Sequence, residues 1–328
     1  MNNLITVDIL KKVYKISERK KGLPGKIANL FAPKFKKKVA VDGISFTINE
    51  GEAVGFIGPN GAGKSTTIKM LSGILYPDEG TIDVDGLSPY KNRNKYVSNI
   101  GVVFGQKSQL QWDLPVIDSF ELLRRIYSIP KADYDVRLNQ FKELLDLDSF
   151  IKQPVRQLSL GQRMRADIAA AFLHNPKIIF LDEPTIGLDV VAKEKIRDFI
   201  RYINKETNTT IIFTTHDMKD ISETCDRLII IDKGHIIYDG KFDEIVNKFS
   251  SERCMSIEFE KKYESLDIDN VLIKDVNEYK KEIRFNTNIK PIKDLINEIN
   301  NKYDVKDFTV NEVDIDDIVI KIYETGEI

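Results

Sequence analysis

The sequence predicts an α/β domain built on a parallel sheet, followed by a small C-terminal α+β domain. Four short apolar runs, Ala53–Ile57, Ile178–Leu181, Ile211–Phe213 and Leu228–Ile231, are continuous rather than alternating. Such runs suit strands covered on both faces, as in a parallel sheet. Helical stretches such as Ala192–Asn204 lie between them, and strand–helix alternation is the mark of an α/β core. From about Ser251 the pattern changes: Ile257 and Phe259 alternate with Glu258 and Glu260, and Ile283 and Phe285 flank Arg284. Pro291 then opens a stretch with Ile292, Leu295, Ile296, Ile299 and Tyr303 at helical spacing, with proline in the first turn. Val305–Val310 reads as one more strand.

A chain of 328 residues accommodates two such domains. With 42% hydrophobic and 30% charged residues it has the composition of a globular protein. The formal net charge of -2 gives no global attraction for nucleic acid. From Ser251 onward there are 19 acidic and 12 basic residues, so the rest of the chain is basic. Much of that excess lies in the segment 18–38, where eight lysines and arginines face the single acid Glu18. Leu23, Ile27, Leu30, Phe31 and Phe35 are interspersed among them. This segment reads either as a solvated insertion loop or as a basic amphipathic element that meets anionic lipid headgroups. Cys225 and Cys254 form no CxxC pair, so neither a zinc site nor a disulfide framework is expected. Met1–Asp8 reaches an acid at once and does not read as a secretory signal. The longest uncharged runs, Ala53–Gly63 for example, are eleven residues, well short of the ~20 that span a bilayer.

The chemistry begins at Gly58-Pro59-Asn60-Gly61-Ala62-Gly63-Lys64-Ser65, followed by Thr66. This is GxxxxGK[ST] between an apolar strand and the helical stretch Thr67–Leu75, the context a phosphate-binding loop requires. Glycines allow a tight turn with inward N–H groups, and the helix adds its N-terminal dipole. Lys64 can reach the terminal phosphates of a nucleoside triphosphate, and Ser65 can bind Mg²⁺. Ile178–Leu181 ends in Asp182 and Glu183. Asp182 suits Mg²⁺ coordination through water, and Glu183 suits a general base for the attacking water. Without a phosphate loop the two acids would read as a solvated strand exit.

Between these motifs lies Leu158-Ser159-Leu160-Gly161-Gln162-Arg163. It resembles the LSGGQ signature of the ABC ATPases, with Leu160 in place of the first glycine, a departure that bears on closure kinetics. Ser159 also reads as the N-cap of the stretch Gln162–Leu173, and the two roles are compatible. By the resemblance, Ser159, Gly161 and Gln162 touch nucleotide. Gln106 looks like the Q-loop glutamine that senses Mg²⁺ and the attacking water. Gly187-Leu188-Asp189 looks like the D-loop, with Asp189 beside the nucleotide. His216 looks like the switch histidine on the γ-phosphate, and Tyr14 like the aromatic that stacks on adenine. The resemblance covers about residues 4–248, with six motifs in order. It implies a P-loop NTPase: a RecA-like core with an ABC β-subdomain and a helical subdomain over about 107–172, all within 1–248, leaving 249–328 as an accessory domain.

The segments Gly101–Pro115 and Thr185–Ala192 look like those of ATPases paired with ABC-2-type permeases, mostly exporters. The acidic Asp314–Tyr323 is similar to the C-terminal extension that many of these carry. The resemblance implies ATP and Mg²⁺ as ligands and a head-to-tail dimer, of two copies or with a related ATPase subunit. It implies a peripheral position on the cytoplasmic face of the membrane, held by permease subunits. Gln109, Trp112, Leu114 and Pro115 would receive the permease. The other reading is an ABC ATPase acting on a macromolecular complex such as the ribosome or DNA. Those forms carry two cassettes or long coiled-coil or zinc insertions, and none is visible. A regulatory module without turnover would not need Glu183 and His216.

Overall fold

The structure is a computed structural model that describes residues 3–17, 35–105, 107–249, 251–312, 318, 321 and 322. Gln106, residues 18–34 of the basic segment, and most of Asp314–Tyr323 lie outside these residues. The chain divides into two compact units, Met1–Gly240 and Lys241–Ile328. The division falls earlier than the sequence-based boundary at 248, because the helix Phe242–Lys248 groups with the second unit.

The first unit runs β1 (Asn3–Ser17), β2 (Phe35–Asn49), β3 (Ala53–Ile57), α1 (Lys64–Leu71), β4 (Glu79–Val84), α2 (Arg93–Val97), β5 (Ile100–Phe104) and α3 (Val116–Ile126). It continues with α4 (Lys131–Leu144), α5 (Leu160–Phe172), β6 (Ile178–Asp182), α6 (Val190–Thr207), β7 (Thr210–Thr214), α7 (Met218–Thr224), β8 (Arg227–Asp232) and β9 (His235–Lys241). A six-stranded sheet in the order β5-β6-β7-β3-β8-β9 is parallel from β5 through β8. Every residue of β3, β6 and β7 is buried, which is why the runs Ala53–Ile57, Ile178–Leu181 and Ile211–Phe213 are apolar, while the polar residues at the strand ends, Asp182, Thr210 and Thr214, are buried beside them. β8 passes to β9 through Lys233-Gly234, both at positive φ, as a two-residue hairpin turn requires.

A second sheet, β2-β1-β4, is antiparallel. β1 and β2 pair over their whole lengths with several bulges, whereas β4 accompanies β1 only from Ile5 to Lys11. Beyond Lys11 the two strands form a ribbon, tethered where Val13 N donates to Asp78 Oδ2 at 2.6 Å. The two sheets share one core, in which Ile5, Phe46 and Ile48 join Val54, Phe56, Ile68 and Phe180.

The helical region α3–α5 meets the sheet domain through aromatic packing: Phe199 of α6 lies edge-on between Phe141 of α4 and Phe172 of α5, 5.2 and 5.3 Å away. Such pairs each contribute about 0.5–1.5 kcal/mol beyond burial. No helix among the described residues is long and apolar enough to cross a membrane.

The second unit opens with α8 (Phe242–Lys248) and builds an antiparallel sheet β11-β12-β10-β13 from β10 (Glu252–Phe259), β11 (Val271–Asp275), β12 (Lys280–Asn286) and β13 (Val305–Glu312). Its helix, α9 (Ile292–Lys302), buries Leu295 and Ile299 with Met255, Ile257, Phe259, Ile283 and Phe285.

Candidate functional site

The loop between β3 and α1 is shaped by glycine. Gly61 and Gly63 hold φ of 84° and 119°, in the region that side chains disfavour. A Cβ on Gly58 would stand 2.2 Å from the Ile231 carbonyl oxygen. α1 begins at Lys64 and ends at Leu71, earlier at both ends than the expected 67–75. The loop winds directly into the helix at Gly63, and Gly73, at φ 70°, breaks it. The helix N-terminus has no side-chain cap, so its first N–H groups are left for an anion. We expect Gly58→Ala to displace the loop and weaken ATP binding by about tenfold or more; titration with a fluorescent ATP analogue reads it, and an unchanged affinity would refute the packing argument.

Lys64 is buried, and its ammonium donates to the carbonyls of Gly58 at 2.5 Å and Pro59 at 3.3 Å. Burial lowers its pKa, and Glu183 and Asp182 oppose that shift. A phosphate would exchange these carbonyl bonds for stronger charge-assisted ones. Ser65 Oγ donates to Asp182 Oδ1 at 3.1 Å, and Thr214 Oγ1 donates to the same oxygen at 2.8 Å.

Glu183 leaves β6 with φ 54°, a left-handed conformation that costs about 1–3 kcal/mol for a residue with a side chain. The ends of two neighbouring strands hold it there. Glu183 N donates to Thr214 O at 3.0 Å and Thr214 Oγ1 at 3.1 Å, while Gly105 N donates to Asp182 O at 2.9 Å. The turn brings Glu183 Oε1 to 2.7 Å from His216 Nε2.

A cavity of about 530 Å³ runs along the loop, lined by Asn60, Gly61, Gly63, Lys64, Ser65, Thr66 and Glu183. From the ribbon come Tyr14, Ile16 and two lysines that sequence reasoning did not place here: Lys15, which it did not single out, and Lys38, which it counted with the basic segment 18–38. Their signal was the register: Tyr14 pairs with Lys38 and Lys15 with Lys37, which no motif states. A smaller cavity of about 330 Å³ lies beyond Ser65 and Asp182, bounded by Phe104, Gly105 and Lys107.

The signature residues stand apart, for they line neither cavity. Ser159 caps α5: its Oγ accepts from Gln162 N at 3.2 Å, and Ser159 N donates to Gln162 Oε1 at 2.9 Å, a capping box. Asp189 caps α6 by accepting from Ala192 N at 2.9 Å.

Sequence reasoning also missed a buried ion pair behind the site. Asp220 of α7 is inaccessible, and Arg197 of α6 is 3% exposed. Arg197 Nη1 donates to Asp220 Oδ1 at 2.9 Å. Asp220 Oδ2 accepts from Thr185 Oγ1 at 2.5 Å and Thr215 Oγ1 at 3.1 Å. The segments leaving Glu183 and approaching His216 are thus fastened to one carboxylate. The signal available in the sequence was a charge within an apolar face, Arg197 between Ile196 and Ile200.

The ABC transporter family matches residues 41–186. The ABC transporter ATP-binding protein NatA of Bacillus subtilis (strain 168) is 34% identical over 68% of this chain and 90% of its own. The Nod factor export ATP-binding protein I of Ralstonia nicotianae is 34% identical over 65% of this chain and 66% of its own. The methionine import ATP-binding protein MetN 2 of Enterococcus faecalis is 33% identical over 68% and 65%. Among solved structures, the dimeric post-hydrolysis state of the ATP-binding cassette MJ0796 bound to ADP and Pi superposes with a TM-score of 0.60, at 27% identity over 72% of this chain and 98% of that one.

Proposed function

The chain belongs to the ABC transporter ATP-binding family and is an ATPase, and from that membership we propose that it powers export through separate permease subunits of the ABC-2 type. The observation that carries the reading is the Glu183–His216 pair beside Asp182 of β6, which accepts from Ser65 of the phosphate loop. The segment Gly101–Pro115 and the similarity to an export ATPase favour export. A relative named for import lies at nearly the same identity, so direction is what the transport assay has to decide.

In this reading ATP lies along the larger cavity, its base against Tyr14 and its phosphates in the loop 58–66. Lys64 turns from the Gly58 and Pro59 carbonyls to the terminal phosphates. Glu183 takes the proton of the attacking water, and His216 orients Glu183 and meets the γ-phosphate. Ser65 and Asp182, with Gln106, would hold Mg²⁺. The donor set fits: the Ser65 hydroxyl and the Asp182 carboxylate meet at 3.1 Å beside the phosphate loop, few oxygens of the kind that suit an ion carried mainly on phosphate oxygens and water. Bound there, Mg²⁺ supplies neutralisation of phosphate charge.

Ser159, Gly161, Gln162 and Asp189 line neither cavity of their own chain, which supports a head-to-tail dimer in which they complete the partner's site. The chain would sit peripherally on the cytoplasmic face of the membrane, and the part of the basic segment that precedes β2, 18–34, would meet lipid headgroups, since Phe35–Lys38 belong to β2 and Lys38 lines the cavity. Residues 1–240 would form the ATPase, with 107–172 as its helical subdomain, and the second unit, 241–328, an accessory domain.

Trp112 and Leu114 are exposed, 53% and 41%, on a segment fixed by Arg156 N donating to Trp112 O at 3.0 Å and Val155 N to Leu114 O at 3.1 Å. These are the side chains offered to the permease. In vesicles holding the chain and its permease, ATP-driven substrate efflux is expected. Trp112→Ala should keep ATP hydrolysis by the subunit alone within about twofold and abolish transport. Equal loss of both activities, or ATP-driven uptake, would refute the reading.

A further inference from the structure

Leu160 stands where LSGGQ has its first glycine, and its side chain has a seat. A Cβ built on Gly187 would stand 3.2 Å from Leu160 Cδ2 and, its chain neighbours aside, would meet nothing else within 4 Å among the described residues. The relation is also reversed: a Cβ on Gly161 would stand 3.3 Å from Ala192 Cβ. Each glycine thus faces a side chain of the other segment, Leu160 at Gly187 and Ala192 at Gly161. The start of α5, capped by Ser159, and the start of α6, capped by Asp189, interlock. Leu160 is 38% exposed, so most of its surface is covered.

Gly187, at φ 71°, belongs to the turn that leaves the catalytic pair. The near end of that turn is held on two sides: Glu183 N donates to Thr214, and Thr185 Oγ1 donates to the buried Asp220. Further on, Ile186 N donates to Glu183 O at 3.4 Å and Leu188 N to Thr185 O at 3.3 Å. These bonds are longer than the usual range and fix the far end weakly. Ile186 and Val190, on either side of Gly187, are exposed.

We propose that Leu160 is a positioning residue for Glu183. Seated on Gly187, it braces the far end of the turn whose near end carries the base. Placement at that point matters, because a shift of about 1 Å at a catalytic group can cost ~10²-fold in rate. Glycine at position 160 would have no side chain to offer, so the brace goes with the departure from LSGGQ. Leu160 lines neither cavity and acts through Gly187. The proposal rests on the reading of Glu183 as general base.

The full chain tests it. Leu160→Ala removes the brace but keeps a good helix former beside an intact Ser159 cap. It is expected to lower kcat about fivefold and to leave ATP affinity within about twofold, because the loop 58–66 is untouched. Leu160→Met, which refills the space, should recover most of the loss; a general loss of stability would not divide kcat from affinity in this way. Gly187→Asn reaches the contact from its other side, since asparagine tolerates the left-handed conformation and its side chain enters the space of Leu160. It should slow turnover with Leu160 in place and add little to Leu160→Ala. Amide exchange reads the brace directly: Leu160→Ala should speed exchange at Ile186 and Leu188 and leave Ile178–Leu181 protected. Unchanged kcat, a loss that methionine does not restore, additive effects of the two substitutions, or unchanged exchange at Ile186 and Leu188 would overturn the proposal. The base assignment is tested separately by Glu183→Gln. If that variant keeps its activity the base reading fails, while exchange at Ile186 and Leu188 still decides whether Leu160 braces the turn.

Discussion

Glu183→Gln is expected to lower kcat for ATP hydrolysis by roughly 10²–10⁴-fold, the usual worth of a positioned general base. Glutamine preserves the length of the side chain and its contact with His216, but cannot take the proton of water. The left-handed turn at Glu183 is set by backbone bonds to Thr214 and by the neighbouring Gly105, so the fold and the phosphate loop should be unaffected. ATP affinity should therefore remain while turnover is lost, a loss confined to the transition state. Steady-state phosphate release and nucleotide titration on one preparation separate the two. Retention of a tenth or more of the activity would remove Glu183 from the role of base.

Asp220→Ala should destabilise the first unit by about 3–5 kcal/mol, because it leaves the Arg197 guanidinium buried without its main partner. The remaining contact of Arg197, Nε to Glu223 at 2.7 Å, is to a carboxylate that is 30% exposed, and the bonds that Thr185 and Thr215 make to Asp220 are lost with it. Denaturant midpoints measure the loss, and a change below about 1 kcal/mol would show that the pair is dispensable. Whatever folded protein is recovered should also hydrolyse ATP more slowly, since both threonines border the catalytic pair.

What the sequence discloses depends on how local each feature is. The four central strands were legible because the middle of each is buried on both faces and is therefore a run of apolar residues. The phosphate loop, Asp182–Glu183 and Ser159–Gln162 were legible because each is a contiguous motif with a fixed geometric reason. The β1–β2 ribbon was not, because its bulges break the two-residue alternation. Nor were Lys15 and Lys38, which reach the cavity through strand register, or Arg197 and Asp220, 23 residues apart on different helices. Leu160 and Gly187 belong to separate motifs that meet only in the fold, and no pattern in either segment points to the other.

The ribbon that carries Tyr14 has a consequence for selectivity. The phosphate end of the cavity is formed by a loop rooted in the central sheet, so its geometry exists before any ligand arrives. The other end is formed where β4 has already left β1, just past the tether from Val13 to Asp78. Two strands without a third neighbour are marginal in water, and part of the binding energy at that end must go into ordering them. The cavity should accordingly count phosphates better than it tells one base from another: adenosine and guanosine triphosphates should differ little, while loss of a single phosphate should matter far more.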